Sequence, residues 1–207
     1  MSLRFKQYDT YEQYIDDQVS KLTENQAALR SKYDRKYQEF LKRFARYKPS
    51  ILPGSRILCL GARMGEEVYA WQKLGYDALG VDLKPASSIV IKGDWHKLPI
   101  GDDEFDVVYT NSIDHAYDIK ITAREIDRVL CPAGILILEL LAKHASDDAK
   151  IKAKFANKKR YESMLWNSDK DVLREFECRG FRVDLRWDES KWHAYVLYRS
   201  WKYIDGR

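Results

Sequence analysis

The chain has 207 residues, the length of a single domain whose core needs no disulfide or metal to hold it together. With 45% hydrophobic and 33% charged residues, the composition is that of a soluble globular protein, and no apolar run reaches the ~20 residues of a membrane-spanning helix. The net charge of +4 is mild and fits a nucleic-acid binder, a protein with anionic small substrates and a protein with no charged partner equally well. Of these we expect a nucleic-acid partner least.

The three cysteines are an odd number, and their spacing matches no metal-binding motif. Cys59 falls inside a predicted strand, where a thiol is buried and inert. This usage favours a reducing compartment, and the opening residues lead into polar sequence rather than a signal peptide. We therefore expect a cytoplasmic protein with no metal site.

Residues 1–48 differ from the rest because aromatic and aliphatic residues recur in them at helical spacing. The pattern predicts two amphipathic helices, broken around residues 23–26, the second ending at Lys48-Pro49 because the residue before a proline resists helical geometry. We interpret residues 1–48 as a helical lid or extension and residues 49–207 as the main domain. Plain packing against the rest of the chain, including at a homodimer interface, is the alternative.

Beyond residue 55, predicted strands and helices alternate. The strands are residues 56–60, 77–81, 88–92, 105–110 and 134–140, and the helices are residues 66–74, 119–130 and 169–178. Alternation of this kind predicts βαβ units with helices on both faces of a mostly parallel sheet. Two further strands, at residues 181–187 and 192–201, predict an antiparallel hairpin that closes a seven-stranded, doubly wound α/β sheet.

The turn at residues 57–65 is typical of a nucleotide-like ligand site. A strand ends at Gly61, Gly65 follows, and a helix begins at Glu66. A dinucleotide fingerprint needs glycine where Arg63 stands, because a pyrophosphate approaches the backbone there, so NAD and FAD are disfavoured and an oxidoreductase ranks last. A nucleoside-like ligand without a pyrophosphate, such as S-adenosylmethionine, fits; a tight turn that binds nothing is the alternative.

Acidic residues follow the next two strands, at the edge where open α/β sheets bind ligands. Asp82 lies about 20 positions past the glycine turn, where a carboxylate accepts hydrogen bonds from ribose hydroxyls. Asp94, between Gly93 and Trp95, is placed to accept from an adenine amine while the aromatic ring covers the base. A dehydrogenase has no general need for this second carboxylate. Asp82 as a helix cap or a solvated side chain is the other interpretation.

After the fourth strand, polar residues begin at Asn111, where a substrate would meet a reactive methyl group. His115 is the candidate general base, because a neutral imidazole accepts a proton near pH 7, and Asp114 or Asp118 would orient it. His115 could instead pack at the junction or bind substrate without proton transfer. His144, after the fifth strand, is a secondary candidate for substrate contact.

These sites, in this order, resemble the class I S-adenosylmethionine-dependent methyltransferases, in particular the group of the type 11 and ubiquinone/menaquinone enzymes. The resemblance covers residues 50–140, and residues 160–201 more loosely. It implies a Rossmann-like fold, S-adenosylmethionine as cofactor and S-adenosylhomocysteine as product. It also implies the cofactor contacts. Gly61, Ala62 and Gly65 would lie along the methionine part, and Asp82 would hold the ribose. Adenine would contact Leu83, Asp94 and Trp95, in the loop that begins at Gly93, and Asn111 would approach the cofactor from the opposite side.

Two positions depart from this family, which usually has an acidic residue in place of Cys59 and a glycine in place of Arg63. Arg63 would reach the cofactor carboxylate, turn to solvent or form a salt bridge. On the first predicted helix, Tyr11, Tyr14 and Gln18 present an aromatic and polar face that would cover the site and select the substrate.

The sequence therefore favours a methyltransferase acting on an oxygen or nitrogen of a small molecule, such as a metabolite, natural product or sugar derivative. The two departures leave open a methyltransferase-like protein that binds without catalysis. The basic segment at residues 143–160 leaves open an RNA-directed enzyme, whose binding would weaken steeply with salt.

Overall fold

The computed structural model describes residues 3–141, 162–188 and 192–200. His144 and the basic segment at residues 143–160 lie outside the described residues. In the described ranges the strands are β1 (Arg4–Phe5), β2 (Arg56–Leu60), β3 (Asp77–Asp82), β4 (Val90–Lys92), β5 (Phe105–Thr110), β6 (Leu130–Leu141), β7 (Met164–Leu165), β8 (Phe181–Asp188) and β9 (Trp192–Arg199). The helices are α1 (Tyr11–Arg30), α2 (Tyr33–Phe44), α3 (Glu66–Lys73), α4 (Ile119–Val129) and α5 (Asp169–Glu177).

Seven strands form one sheet in the order β4-β3-β2-β5-β6-β9-β8. Pairing is parallel from β4 through to β6, whereas β9 runs antiparallel to both β6 and β8. The central strands are nearly continuous apolar runs, as expected where helices cover both faces. The predicted Rossmann-like, doubly wound and mostly parallel seven-stranded sheet with an antiparallel C-terminal hairpin is confirmed.

Helices cover both faces of this sheet and form two hydrophobic clusters with it. On one face, Phe44 of α2 stacks on Trp71 of α3 with ring centroids 4.0 Å apart, and both rings pack against Tyr109 of β5. On the other face, Ile126 of α4 and Phe176 of α5 are fully buried against the sheet. The sheet is therefore rigidly held, and the loops at its ends are left to form a site.

The break between the first two helices lies further along the chain than predicted. α1 continues through residues 23–26 and ends at Arg30, and α2 begins at Tyr33 and ends at Phe44, ahead of Pro49. Residues 24–30 include glutamate, glutamine, alanine, leucine and arginine, all strong helix formers, so local propensity carries α1 onward.

One pairing had no sequence signal that we recognised. β1 pairs antiparallel with β7, with Arg4 opposite Leu165 and Phe5 opposite Met164. Two-residue strands are too short to show an alternating pattern. The pairing ties the segment ahead of α1 to the chain that precedes α5. None of the helices in the described ranges is long and apolar enough to cross a membrane.

Candidate active site

A cleft opens at the carboxyl ends of β2 to β5, at the point between β2 and β5 where the strand order reverses. This is the position where doubly wound sheets bind ligands. The cleft encloses about 860 Å³ of empty space, its open mouth included. Most of the predicted site residues line it, namely Gly61, Ala62, Arg63, Asp82, Leu83, Asp94, Trp95, Asn111, His115, Tyr14 and Gln18.

Four predicted residues in the described ranges do not line the cleft. Gly65 is the N-cap of α3. Gly93 packs so closely against Pro99 that a Cβ added to it would lie 2.7 Å from the proline ring. Oδ1 of Asp114 lies 4.0 Å from Nε2 of His115, and the Tyr11 hydroxyl donates a hydrogen bond to Asp94. The first two are thus placed to support the loops, and the other two contact residues that line the cleft.

The glycine turn brings backbone directly against an aromatic ring. Gly61 has a φ of +80°, and a Cβ at this position would lie 2.8 Å from Cζ2 of Trp95. Its N–H donates to the carbonyl of Val81 at 2.8 Å, which fixes the turn to β3. The backbone of the turn and the Trp95 ring therefore form adjoining walls of the cleft.

Asp82 follows β3 and is held by the backbone around it. Its carboxylate accepts from the N–H of Lys84 at 2.9 Å and from the N–H of Arg63 at 3.2 Å. The Nε of Arg63 lies 3.7 Å from Oδ2 of Asp82, so these two side chains form an ion pair. Of the three arrangements predicted for Arg63, the structure shows the salt bridge.

Asp94 lies at the centre of a hydrogen-bonded group on the next loop. The N–H of His96 donates to Oδ1 at 2.9 Å, Nδ1 of His96 lies 2.8 Å from the same atom, and the Tyr11 hydroxyl donates to Oδ2. Nε2 of His96 accepts from the N–H of Asp118 at 3.0 Å, which assigns the ring proton to Nδ1. Burial opposes ionisation of Asp94, but the bonds from His96 and Tyr11 outweigh it and hold its pKa below the usual value.

Asn111, Ser112 and His115 form the opposite wall, at the end of β5. Ser112 donates to the side-chain oxygen of Asn111 at 2.9 Å. Nε2 of His115 lies 4.0 Å from Oδ1 of Asp114, while Asp118, the other predicted partner, caps α4 through Oδ1. The wall thus combines neutral polar groups with one imidazole that has a carboxylate beside it.

Helix α1 is fastened to the rim of the cleft. The Tyr14 hydroxyl donates to the carbonyl of His115 at 3.1 Å, and Gln18 donates to the hydroxyl of Ser163 at 3.2 Å. Ser163 is buried, and its N–H donates to the carbonyl of Asp114 at 2.8 Å. Burial and the nearby carboxylate of Asp94 raise the pKa of Tyr14 far above the usual value, so its hydroxyl stays protonated.

The sequence interpretation missed the end of the cleft formed by α2 and α3. Lys36 and Phe40 of α2 line it, together with Glu66 and Glu67 from the first turn of α3. The two glutamates immediately follow the glycine turn. Acidic residues are common at helix N-termini because their charge is favourable there, so the sequence does not distinguish this role from ligand binding. Cys59 is buried beneath this end and burial raises the pKa of its thiol, which agrees with an inert cysteine. No metal-binding cluster occurs among the described residues.

Comparison with known proteins agrees with this geometry. Residues 58–138 match the family model described as a methyltransferase domain, of type 11. This stretch runs from β2 into β6. It therefore contains the loops after β2, β3, β4 and β5, which line the cleft. Curated protein sequences give no match.

Solved methyltransferase structures share the fold at low sequence identity. A putative methyltransferase of Haloferax volcanii, solved with the activator Trm112, has a TM-score of 0.65 at 15% identity, covering 89% of this chain and 98% of its own. A possible histamine N-methyltransferase of Thermotoga maritima gives 0.62 at 16%, covering 90% and 99%. A putative sarcosine dimethylglycine methyltransferase of Galdieria sulphuraria gives 0.63 at 13%, covering 80% and 86%.

The sheet order, the cleft at its switch point and the domain match together define a class I methyltransferase. Residues 58–138 carry a methyltransferase domain of type 11, and this domain, together with the fold, supports an S-adenosylmethionine-dependent methyltransferase with S-adenosylmethionine as its cofactor.

Proposed function

We propose that the cofactor lies in the cleft with its adenosine between Asp82 and Trp95 and its methionine along the glycine turn. Asp82 would accept from the ribose hydroxyls with Leu83 against adenine, Asp94 would accept from the adenine amine, and Asn111 would approach from the other side. A carboxylate has about four lone-pair positions, so it can accept from a ligand in addition to the protein groups that hold it.

The charges of the cleft suit this cofactor. Four acidic side chains line it, against the two cations Lys36 and Arg63. S-adenosylmethionine carries a sulfonium, an ammonium and a carboxylate, and so has a net positive charge. An acidic cleft favours such a cation over its neutral product, which assists turnover.

We further propose that the methyl acceptor is an oxygen or nitrogen of a small molecule that enters beside His115. When bound, the cofactor supplies an electrophilic methyl carbon on a positive sulfur. His115 would take the proton of the acceptor, Asp114 would steady the resulting imidazolium, and Asn111 and Ser112 would orient the acceptor. Two structural neighbours are described as a possible histamine N-methyltransferase and a putative sarcosine dimethylglycine methyltransferase, so small amines are the class of acceptor to test first.

Residues 1–48 would then act as the lid of the domain formed by residues 49–207. Tyr14 and Gln18 line the cleft from α1, and their bonds to the loop after β5 and to Ser163 hold α1 over it. Such a cover excludes water from the methyl donor and narrows the space for an acceptor. The free, buried thiol of Cys59 fits a reducing compartment, as in the cytoplasm.

The observation that carries the proposal is the convergence of Asp82, Asp94 and His115 on one cleft. Calorimetric titration with S-adenosylmethionine tests the cofactor placement. Asp82→Asn and Asp94→Asn should each weaken binding about tenfold or more, because each removes a charged hydrogen-bond acceptor. Asp77→Asn, which alters an exposed aspartate at the opposite end of β3, should leave binding unchanged. A wild-type protein that does not bind the cofactor would defeat the proposal.

The acceptor is tested by following methyl transfer to a panel of small amines, phenols and sugar hydroxyls. On any substrate found, His115→Gln should lower kcat about 10²- to 10⁴-fold and leave the affinity for the cofactor unchanged. An unchanged kcat would remove His115 from the role of base. Cofactor binding without turnover on the whole panel would favour the binding protein instead.

A further inference from the structure

Two carboxylates at the α3 end of the cleft have no part in the placement described so far. Glu66 and Glu67 form the first turn of α3 and are 3% and 5% exposed, yet both line the cleft. Carboxylates this deeply buried are costly unless a cation or several hydrogen-bond donors face them. Glu66 and Glu67 therefore require a cation or hydrogen-bond donors close to their carboxyl groups.

Among the described residues, Lys36 is the cation that compensates the charge of these two glutamates, and it does so only in part. Nζ of Lys36 lies 3.4 Å from Oε1 of Glu66, in an ion pair whose geometry leaves this buried oxygen without a hydrogen bond. Arg63, the other cation of the cleft, is paired with Asp82. Glu67 is stabilised by its own backbone N–H, and the cation whose charge favours its ionisation is Lys36, across from Glu66.

Glu67 therefore stays protonated at neutral pH when the cleft holds no ligand. Burial, reinforced by the charge of Glu66, raises its pKa from 4.5 to about 8. Its surroundings are Glu66 on its own helix, Lys36 and Tyr33 of α2, Asp82 of β3, and the neutral side chains of Cys59 on β2 and Tyr109 on β5. A neutral carboxyl that faces a cleft will ionise when a cation comes to rest against it.

We propose that Glu67 is the counter-charge for the α-ammonium group of S-adenosylmethionine, and that it gives its proton to solvent when this group binds. The inference rests on the proposed placement of the cofactor. With adenosine held by Asp82 and Asp94, the amino-acid portion extends along the glycine turn towards the start of α3. The transferable methyl group must instead face Asn111 and His115, so the ammonium, and not the sulfonium, is the cation nearest Glu67.

Three ligands separate the groups that Glu67 could contact. S-adenosylmethionine has both cations, S-adenosylhomocysteine has only the ammonium, and 5′-methylthioadenosine has neither. Calorimetry should show that Glu67→Gln weakens the binding of S-adenosylmethionine and S-adenosylhomocysteine by about ten- to a hundredfold, because hydrogen bonds between charged groups are stronger than those between neutral groups. The affinity for 5′-methylthioadenosine should be unchanged. Glu12→Gln, the same change in the exposed first turn of α1, should alter none of them.

Proton release gives a second measurement. At pH 7, wild-type protein titrated in two buffers of different ionisation enthalpy should release a proton on binding S-adenosylmethionine or S-adenosylhomocysteine, and Glu67→Gln should not. Equal affinities of wild type and Glu67→Gln for all three ligands would overturn the inference. So would a loss restricted to S-adenosylmethionine, which would place Glu67 at the sulfonium, or an equal loss for methylthioadenosine. A wild type that binds none of the three would overturn the proposed function as well.

Discussion

Gly61→Ala should destabilise the protein and abolish cofactor binding. Two separable effects contribute: backbone strain and a steric clash of the added Cβ. A residue other than glycine is strained at the φ of +80° found here. The added Cβ would also lie 2.8 Å from the Trp95 ring and 3.1 Å from Cβ of Ser112, which stand on either side of the turn. Neither neighbour is the free end of a flexible side chain, so relief requires that the cleft wall itself move.

Gly54→Ala isolates the first part. Gly54 has a nearly equal φ of +79°, but a Cβ there would have no atom within 4 Å. Backbone strain alone should therefore cost Gly54→Ala about 1–2 kcal/mol. Overpacking adds about 1–3 kcal/mol, so Gly61→Ala should lose about 2–5 kcal/mol in total. For a chain of this size, each kcal/mol corresponds to about 2–4 °C in Tm.

Urea denaturation of the two variants measures both costs, and calorimetric titration with S-adenosylmethionine measures their effect on the cleft. Gly54→Ala should bind like wild type, whereas Gly61→Ala should show no measurable binding because Trp95 is displaced. Equal free energies of unfolding for the two variants would refute the contact argument. Wild-type affinity in Gly61→Ala would refute the assignment of this turn to the cofactor.

Two further outcomes concern buried carboxylates. Glu139→Gln should lower the free energy of unfolding by about 3 kcal/mol, because Glu139 accepts from Tyr47 and Tyr109 at 2.8 Å each and pairs with Arg43 at 3.2 Å. Tyr47→Phe, losing one bond, should cost less in the same urea titration, and equal costs would contradict a charge effect. Folding raises the pKa of Glu67 from 4.5 to about 8, so between these pH values Glu67 is protonated in the folded protein and ionised in the unfolded chain. The free energy of unfolding of the wild type should therefore fall as the pH rises through this range. Glu67→Gln should gain on wild type by up to about 1.4 kcal/mol per pH unit there, and a constant difference in denaturation midpoints would contradict this.

The sheet and the position of the cleft could be predicted because they follow from local patterns. Strand β2 and strand β5 have the predicted bounds, since apolar runs flanked by turn residues are short-range signals. Parallel strands place their carboxyl ends at one edge, so Asp82, Asp94 and Asn111 had to converge once the strands were located. The break between α1 and α2 was misplaced because helix propensity changes only gradually along residues 23–30.

The partners of those residues could not be predicted, because they are distant in sequence. Tyr11 binds Asp94, and Gln18 binds Ser163, through contacts that join the first helix to loops far along the chain. The pairing of β1 with β7 is of the same kind. Arg63 has three chemically reasonable arrangements in sequence, and its ion pair with Asp82 depends on the turn bringing the two together.

The sequence by itself determined the class of this protein, because the order of strands, glycines and acidic residues specifies a doubly wound sheet with a nucleoside-like site. Tertiary structure alone decided the state of the charges in that site. Glu67 looks like an ordinary acidic residue in a first helical turn, and only its burial beside Glu66 makes it a proton-holding group facing the cleft. Burial and charge pairing depend on every element packed around a side chain, and no local pattern contains that information.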